Sequence, residues 1–475
     1  MSERILSFDI IRGWAILGNL MVHSFMLMAE VQGIAESNPA DLDVLGYILM
    51  GMIVFFGHWR GLFLLISAAV HMYSMQRKLK NGIPRHIILF QELLKGLILW
   101  LWAMFFYVFL AQWGPSKQWV ETGSVTIEWQ RIYHADQFAN IAWAIMISAV
   151  IFYILSANDK LKKPIVGAIT FAVVGLLFIF PAPYALEAAN NFWGLNFADE
   201  FEHYASIGDI GWWDYILRLF SNQFIARESP LMPHFGYSAV GSILGIFMSQ
   251  EKPDKKKFLG WGFGSAGFCL AFGIFWLFVV NGIPEDPFSL VTFHIHPTWF
   301  MFIDIGLLLI LVLSIFAGLE FNRKANLQRR MKISRFSRRV GFLSLTVYSL
   351  ASLQSLIRMS FWGIFQLFGW TDPGFRVGLG LPTGWVFLLM AIEIGIWSFI
   401  LWIWEKGRYI GSLDWFFAII LKGPANRKKA DRKSIFGDFI DVQNKLIDPT
   451  PVHWVEPIET EISKDSDIET SEIPG

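Results

Sequence analysis

The chain has 475 residues, 54% of them hydrophobic and 16% charged, with 39 Lys and Arg against 39 Asp and Glu. A soluble domain carries about 25% charged residues, so this deficit, with repeated apolar runs of about 20 residues, excludes an ordinary soluble globule and points to a bilayer. Zero net charge gives no ground for a nucleic-acid partner, and the single cysteine, Cys269, rules out an intrachain disulfide framework or a thiolate metal site.

In chain order, apolar segments fall at 9–30, 59–76, 88–112, 138–156, 164–181, 232–250, 258–282, 298–318, 341–365 and 383–404. Each is long enough to cross a hydrocarbon core as a helix, the form in which a backbone satisfies its own hydrogen bonds. Asp9 and Arg12 interrupt the first segment, so it reads as a retained anchor rather than a cleaved signal. The run 44–56 is shorter and reads as an interfacial or re-entrant helix leading into the second span.

The connections sort by charge. Arg77, Lys78, Lys80 and Arg85 follow the second span, Lys160, Lys162 and Lys163 the fourth, and Lys252 and Lys255 to Lys257 the sixth. A dense basic set from Arg323 to Arg339 follows the eighth, whereas the other connections are poor in Lys and Arg and 182–217 is acidic. Positive charge stays on the cytoplasmic side of a membrane protein. The alternation therefore predicts an all-α, polytopic bundle of about ten transmembrane helices with both termini cytoplasmic. Residues 415–421 should lie at the interface and close a membrane domain of 1–421. The tail 422–475, basic and then acidic with Pro, should be disordered.

Ionisable groups within a membrane are costly and face a bundle interior or a wet cavity. On the first span, Arg12, Asn19 and His23 fall within about 20° of one line, with His23 about 16 Å beyond Arg12. His23, His58, His134, His203, His234, His294 and His296 gather toward the side opposite the basic loops. Imidazole exchanges protons near neutral pH, so this grouping points to a proton-transfer site there. His294 and His296 alternate in an extended loop with no carboxylate or thiol cluster nearby, so no metal site is expected. Asp304, Arg358 and Glu393 should face the interior.

Several segments resemble motifs of transmembrane acyltransferases. Arg4-Ile-Leu-Ser-Phe-Asp9-Ile-Ile-Arg12-Gly13 is similar to the opening shared by the heparan-alpha-glucosaminide N-acetyltransferase catalytic domain, the YeiB-type family and acyltransferase family 3. The stretch from Trp59-Arg60-Gly61 to Ser67 resembles the start of the second YeiB-type span. Ser229-Pro230-Leu231-Met232-Pro233-His234-Phe235-Gly236-Tyr237 resembles the Pro-Leu-x-Pro-x-Phe-Gly motif of the acetyltransferase-like domain. Gly341-Phe-Leu-Ser344-Leu345-Thr346-Val-Tyr348 and Gly411-Ser-Leu-Asp414-Trp415 resemble the late motifs. The matches run in family order over about 1–420.

The resemblance implies transfer of an acyl group, acetyl first, from cytosolic acyl-CoA to an extracytoplasmic sugar or glycan. His58 matches the histidine before the second span of the heparan-type domain, and Arg12 with His23 meets the Arg-x10-His pattern of acyltransferase family 3. His58 or His23 would act as base with Asn19 polarising the carbonyl, and Arg12 and Arg60 would hold the acyl-CoA donor. His134, Asp136 and His234 would line the acceptor pocket. The bilayer (the plasma membrane), acyl-CoA, the acceptor and a second copy of the chain are the partners implied. A polytopic transporter or flippase-like conduit, and a non-catalytic scaffold, stay open as alternatives.

Overall fold

The computed structural model describes residues 5–28, 44–57, 59–111, 115, 118–119, 123–134, 137–157, 163–194, 210–225, 229–250, 254–281, 296–322, 327–350, 352–369 and 383–422. Among them the regular elements are helices, with no β-strand. The first half holds α1 (Leu6–Met28), α2 (Val44–Gly57), α3 (Trp59–Lys80), α4 (Arg85–Phe105), α5 (Gln137–Ala157), α6 (Pro164–Ile179), α7 (Ala182–Trp193) and α8 (Trp212–Ile225). The second half holds α9 (Leu231–Met248), α10 (Lys255–Trp276), α11 (Thr298–Leu319), α12 (Leu327–Ile333), α13 (Arg335–Phe342), α14 (Ser344–Ser349), α15 (Ser352–Leu367), α16 (Thr383–Lys406) and α17 (Leu413–Lys422).

Among the described residues, six helical stretches are long and apolar enough to cross a membrane: Arg85–Leu110, Trp129–Ala157, Leu231–Met248, Lys255–Asn281, Thr298–Leu319 and Gly384–Lys406. Helices α6 and α7, bent by 41° at their junction, would together make a seventh. α1 and α3 have the length, 23 and 22 residues, but fall outside this apolar set. They are central instead. α3 buries an unbroken run from Gly61 to Ala69, whereas only 11% of the apolar stretch of α10 is covered by protein. The helices least suited to lipid are those shielded from it.

One expectation is corrected. The stretch 341–365 is not one helix but parts of α13, α14 and α15, with backbone breaks at Leu343 (φ −97°, ψ 29°) and Leu350 (φ −92°, ψ 16°). Asp414 caps the middle piece: its Oδ2 accepts from the Thr346 backbone N–H at 3.0 Å and from the Thr346 hydroxyl at 2.6 Å. That long-range cap lets a new helix start inside an apolar run. The acidic connection 182–217 in turn contains α7 and the start of α8, which buries Tyr215, Leu219, Asn222 and Gln223 at helical spacing.

Small residues bring the central helices together. α3 and α9 run side by side, with Gly61 against the Tyr237 ring, Gly241 against the Leu65 carbonyl and Gly245 against the Ala69 carbonyl. α1 meets α13 the same way: a Cβ on Gly13 would strike the Ser337 carbonyl, and one on Gly341 the Asp9 carbonyl. Such close backbone approach is the usual basis of helix association in lipid, where apolar burial between helices supplies no drive. The starts of α3, α5, α9 and α11 share one end with the last turns of α1, here the histidine end. Arg12, Lys78 and Lys255 mark the other, the basic end.

Candidate active site

At the histidine end, the first turns of α3, α5, α9 and α11 converge on buried polar groups. His234 is fully buried, and its Nδ1 lies 2.9 Å from the Pro230 carbonyl. A carbonyl only accepts, so Nδ1 carries the proton and Nε2 presents a lone pair. That Nε2 is buried and has no hydrogen-bond partner among the described residues. Asn140 of α5 donates to the same Pro230 carbonyl and to that of Ser229, both at 3.2 Å, fixing the loop that orients His234.

The His296 ring lies 4.8 Å from that of His234, centroid to centroid. The Tyr237 hydroxyl donates to Asp304 Oδ2 at 2.5 Å and lies 3.1 Å from His296 Nδ1. Its one proton faces the carboxylate, so it accepts from His296, giving a directed chain His296 to Tyr237 to Asp304. The Arg60 guanidinium interacts electrostatically with His23, His234 and Tyr237, and its carbonyl accepts from Gln137 Nε2 at 2.8 Å. Two imidazoles and a guanidinium thus share a buried site. One can accept a proton while the other stabilises developing negative charge.

The basic end holds a second polar node. Arg12 Nη1 donates to the Gly341 carbonyl at 3.4 Å and interacts electrostatically with Asp414 and His71. Glu92, fully buried, accepts from Lys78 at 2.8 Å and Lys95 at 2.9 Å, with His71 Nδ1 at 3.6 Å. Between the nodes, Ser67, His71, Ser148 and Ser238 line a cavity of about 10 Å³, room for a single water. Ser148 and Ser238 have no hydrogen-bond partner among the described residues, so such a water would satisfy both. A separate buried group joins Glu393 to Ser24, with Gln354 donating to Ser24 at 3.0 Å.

Of the residues singled out in the sequence, His23, Arg60 and His234 come together. Arg12 does not join them. It lies at the basic end, interacting with Asp414 and His71, whereas Arg60 lies at the histidine end. His134 packs its ring on Tyr107 at 4.2 Å, and its carbonyl accepts from Gln223 at 3.1 Å. Asn19 is half-buried, one turn before His23. His58, Asp136 and His294 lie outside the described residues, as do the Arg358 side chain and the tail beyond 422.

Tyr237 and Glu92 are functional candidates that the sequence did not single out, although Tyr237 ends one of the matching segments. His296 belongs to the group of histidines read from the sequence as a proton-transfer site, and it lies beside His234. Among the described residues no three His, Cys, Asp or Glu side chains are grouped to hold a metal ion. The segments that carry the acyltransferase resemblance meet in two places. Asp9, Arg12, Gly341, Thr346 and Asp414 cluster at the basic end, and Arg60, Gly61, Pro230, His234 and Tyr237 at the histidine end. Compared with models of known families and with curated protein sequences, the chain matches none.

Proposed function

We propose that the chain is a membrane-bound acyltransferase of about ten spans with cytoplasmic termini, resident in the plasma membrane. It moves an acyl group, acetyl first, from cytosolic acyl-CoA to a sugar or glycan on the far side. The observation that carries this reading is His234, whose proton is fixed on Nδ1 and whose Nε2 is an unoccupied acceptor beside His296 and Arg60. In this reading Nε2 takes the proton of an attacking hydroxyl or amine, Arg60 stabilises the tetrahedral oxyanion, and collapse of that adduct breaks the C–S bond, the CoA thiolate leaving as the thiol with the proton returned by Nε2. His23 shares the field of Arg60 and positions the acyl group. The basic loops and Arg12 hold the donor phosphates.

The cavity of about 10 Å³ at His71 and Ser238 is far too small for a pantetheine chain, so delivery of the acyl group requires α3, α5 and α9 to part there. The test is acetyl transfer by liposome-reconstituted protein, with radiolabelled acetyl-CoA on one side and an amino sugar on the other. His234→Ala should abolish it. Full transfer by His234→Ala, His23→Ala and His58→Ala alike would end the proposal.

The same small cavity, with Ser67, His71, Ser148 and Ser238 in its wall, favours a second reading, a transporter that carries protons between these groups. That reading predicts pH-driven fluorescence change in loaded liposomes and no acyl-CoA turnover.

A further inference from the structure

α6 and α9 diverge from α10 and α11, and between the two pairs lies a lateral groove of about 1260 Å³. Its walls are apolar: α6 contributes Ile165, Ile169 and Leu176, and α10 contributes Trp261, Phe268 and Cys269. Toward the histidine end, aromatic rings shut it. Phe180 lies 5.6 Å from Trp276 and 5.8 Å from Phe302, and Phe272 lies 4.6 Å from Phe302. At the basic end it is open, with Gln250, Lys256 and Lys257 on the lip.

We propose that this groove binds one anionic glycerophospholipid from the leaflet on the lysine side. The headgroup phosphate sits at Lys256 and Lys257, and the acyl chains run along α6 and α10 to the aromatic stop. Length supports this occupant. Lys256 and Cys269 are separated by about 20 Å of helix, which matches one leaflet of a bilayer about 40–45 Å thick with its headgroups.

Charge supports it too. Among the described residues, the one carboxylate on the lip, Asp254, is committed to capping α10: it accepts from the backbone N–H groups of Lys256 at 3.0 Å and Lys257 at 3.2 Å. Lys257 Nζ lies 3.7 Å from it, and Lys256 makes no ion pair among the described residues. A second copy fits less well, because a two-fold axis along the membrane normal would set its lysines at the same depth as these.

Native mass spectrometry of the full chain in detergent, titrated with dioleoylphosphatidylglycerol or dioleoylphosphatidylcholine, is the first measurement. The second is the alkylation rate of Cys269, the only cysteine in the chain, which therefore reports on the groove alone. Phosphatidylglycerol should be retained several-fold better than phosphatidylcholine and should slow Cys269 alkylation several-fold. The K256E/K257E double variant should lose that preference.

G264F should lower retention of both lipids, since a Cβ at Gly264 meets no atom within 4 Å and the ring can enter the groove without displacing backbone. Equal retention of the two lipids by the unaltered protein overturns the proposal, as does phosphatidylglycerol binding that leaves Cys269 alkylation unchanged. Dimerisation that protects Cys269 in place of lipid also overturns it. If the lysine variant does not fold, the two lipids on the unaltered chain decide.

Discussion

The Tyr237 hydroxyl donates to Asp304 Oδ2 across 2.5 Å, joining α9 to α11 inside the bundle. Tyr237→Phe leaves that carboxylate without its donor and His296 without its acceptor, in a site closed to solvent. Loss of a buried partner costs about 1–3 kcal/mol. Thermal unfolding in detergent should show the loss, and Asp304→Asn, which keeps an acceptor oxygen, should be milder. An unchanged unfolding temperature for Tyr237→Phe would mean that the bond does not hold the helices.

Within the acyltransferase reading, His234→Ala should lower turnover by about 10²–10⁴-fold, the usual contribution of a positioned base. The affinity for acyl-CoA, measured by thermal shift, should stay close to that of the unaltered protein, because the donor phosphates lie at the other end. His134→Ala, whose ring packs on Tyr107, should stay nearer wild-type turnover. Equal losses from both would point to a general structural role.

Among the described residues, Glu92 is the one carboxylate paired with Lys78, Lys95 and His71, and it is fully buried. Glu92→Gln strands two lysines beside each other. Breaking a buried ion pair by removing one partner costs about 3–5 kcal/mol. Reduced yield of folded protein should result, with partial recovery when Lys95→Met is added; no recovery would show that the charge balance is not what Glu92 supplies.

Glu320, which follows the last turn of α11, caps the start of α1, accepting from both the Ser7 backbone N–H and the Ser7 hydroxyl at 2.9 Å. Burial raises its carboxyl above the ordinary glutamate value, the two Ser7 bonds oppose this, and Asp9 nearby adds to it. The folded state therefore holds this proton more tightly than the unfolded chain does. Its contribution to stability is complete below the ordinary glutamate value and is lost as pH rises through the raised one. Unfolding temperature should fall over that window, and Glu320→Gln should flatten the fall. A steeper fall in the variant would refute the assignment.

Gly13→Ala places a methyl on the Ser337 carbonyl where α1 crosses α13. Backbone cannot step aside as a side chain can, so overpacking of about 1–3 kcal/mol is expected. Gly264→Ala, where a Cβ meets open space, is the control, and similar unfolding temperatures for the two would refute the close crossing.

The helices were legible because apolar runs and charge punctuation are local signals. The short run 44–56 and the aromatic stretch 415–421 both proved helical, as α2 and α17. The break within 341–365 was not legible, since the side chain that caps the middle piece is Asp414, 68 residues from Thr346. His234 and Arg60 stood out within quoted motifs. Asp304 was legible as an interior group, but its partner was not: it lies 67 residues from Tyr237, and no spacing rule links a tyrosine on one helix to a carboxylate on another. Glu92 sat in an apolar segment whose hydropathy masked it, and its lysines were read only as loop charge.

The inside-out polarity of α1 and α3 bears on how the chain is made. Each emerges from the ribosome carrying charges that a lone helix in lipid holds poorly. The wall that shelters α3, namely α9, is synthesised more than 150 residues later. Until then these two segments need a temporary host, whether the insertion machinery or one another, and stable residence becomes a collective act of the late helices.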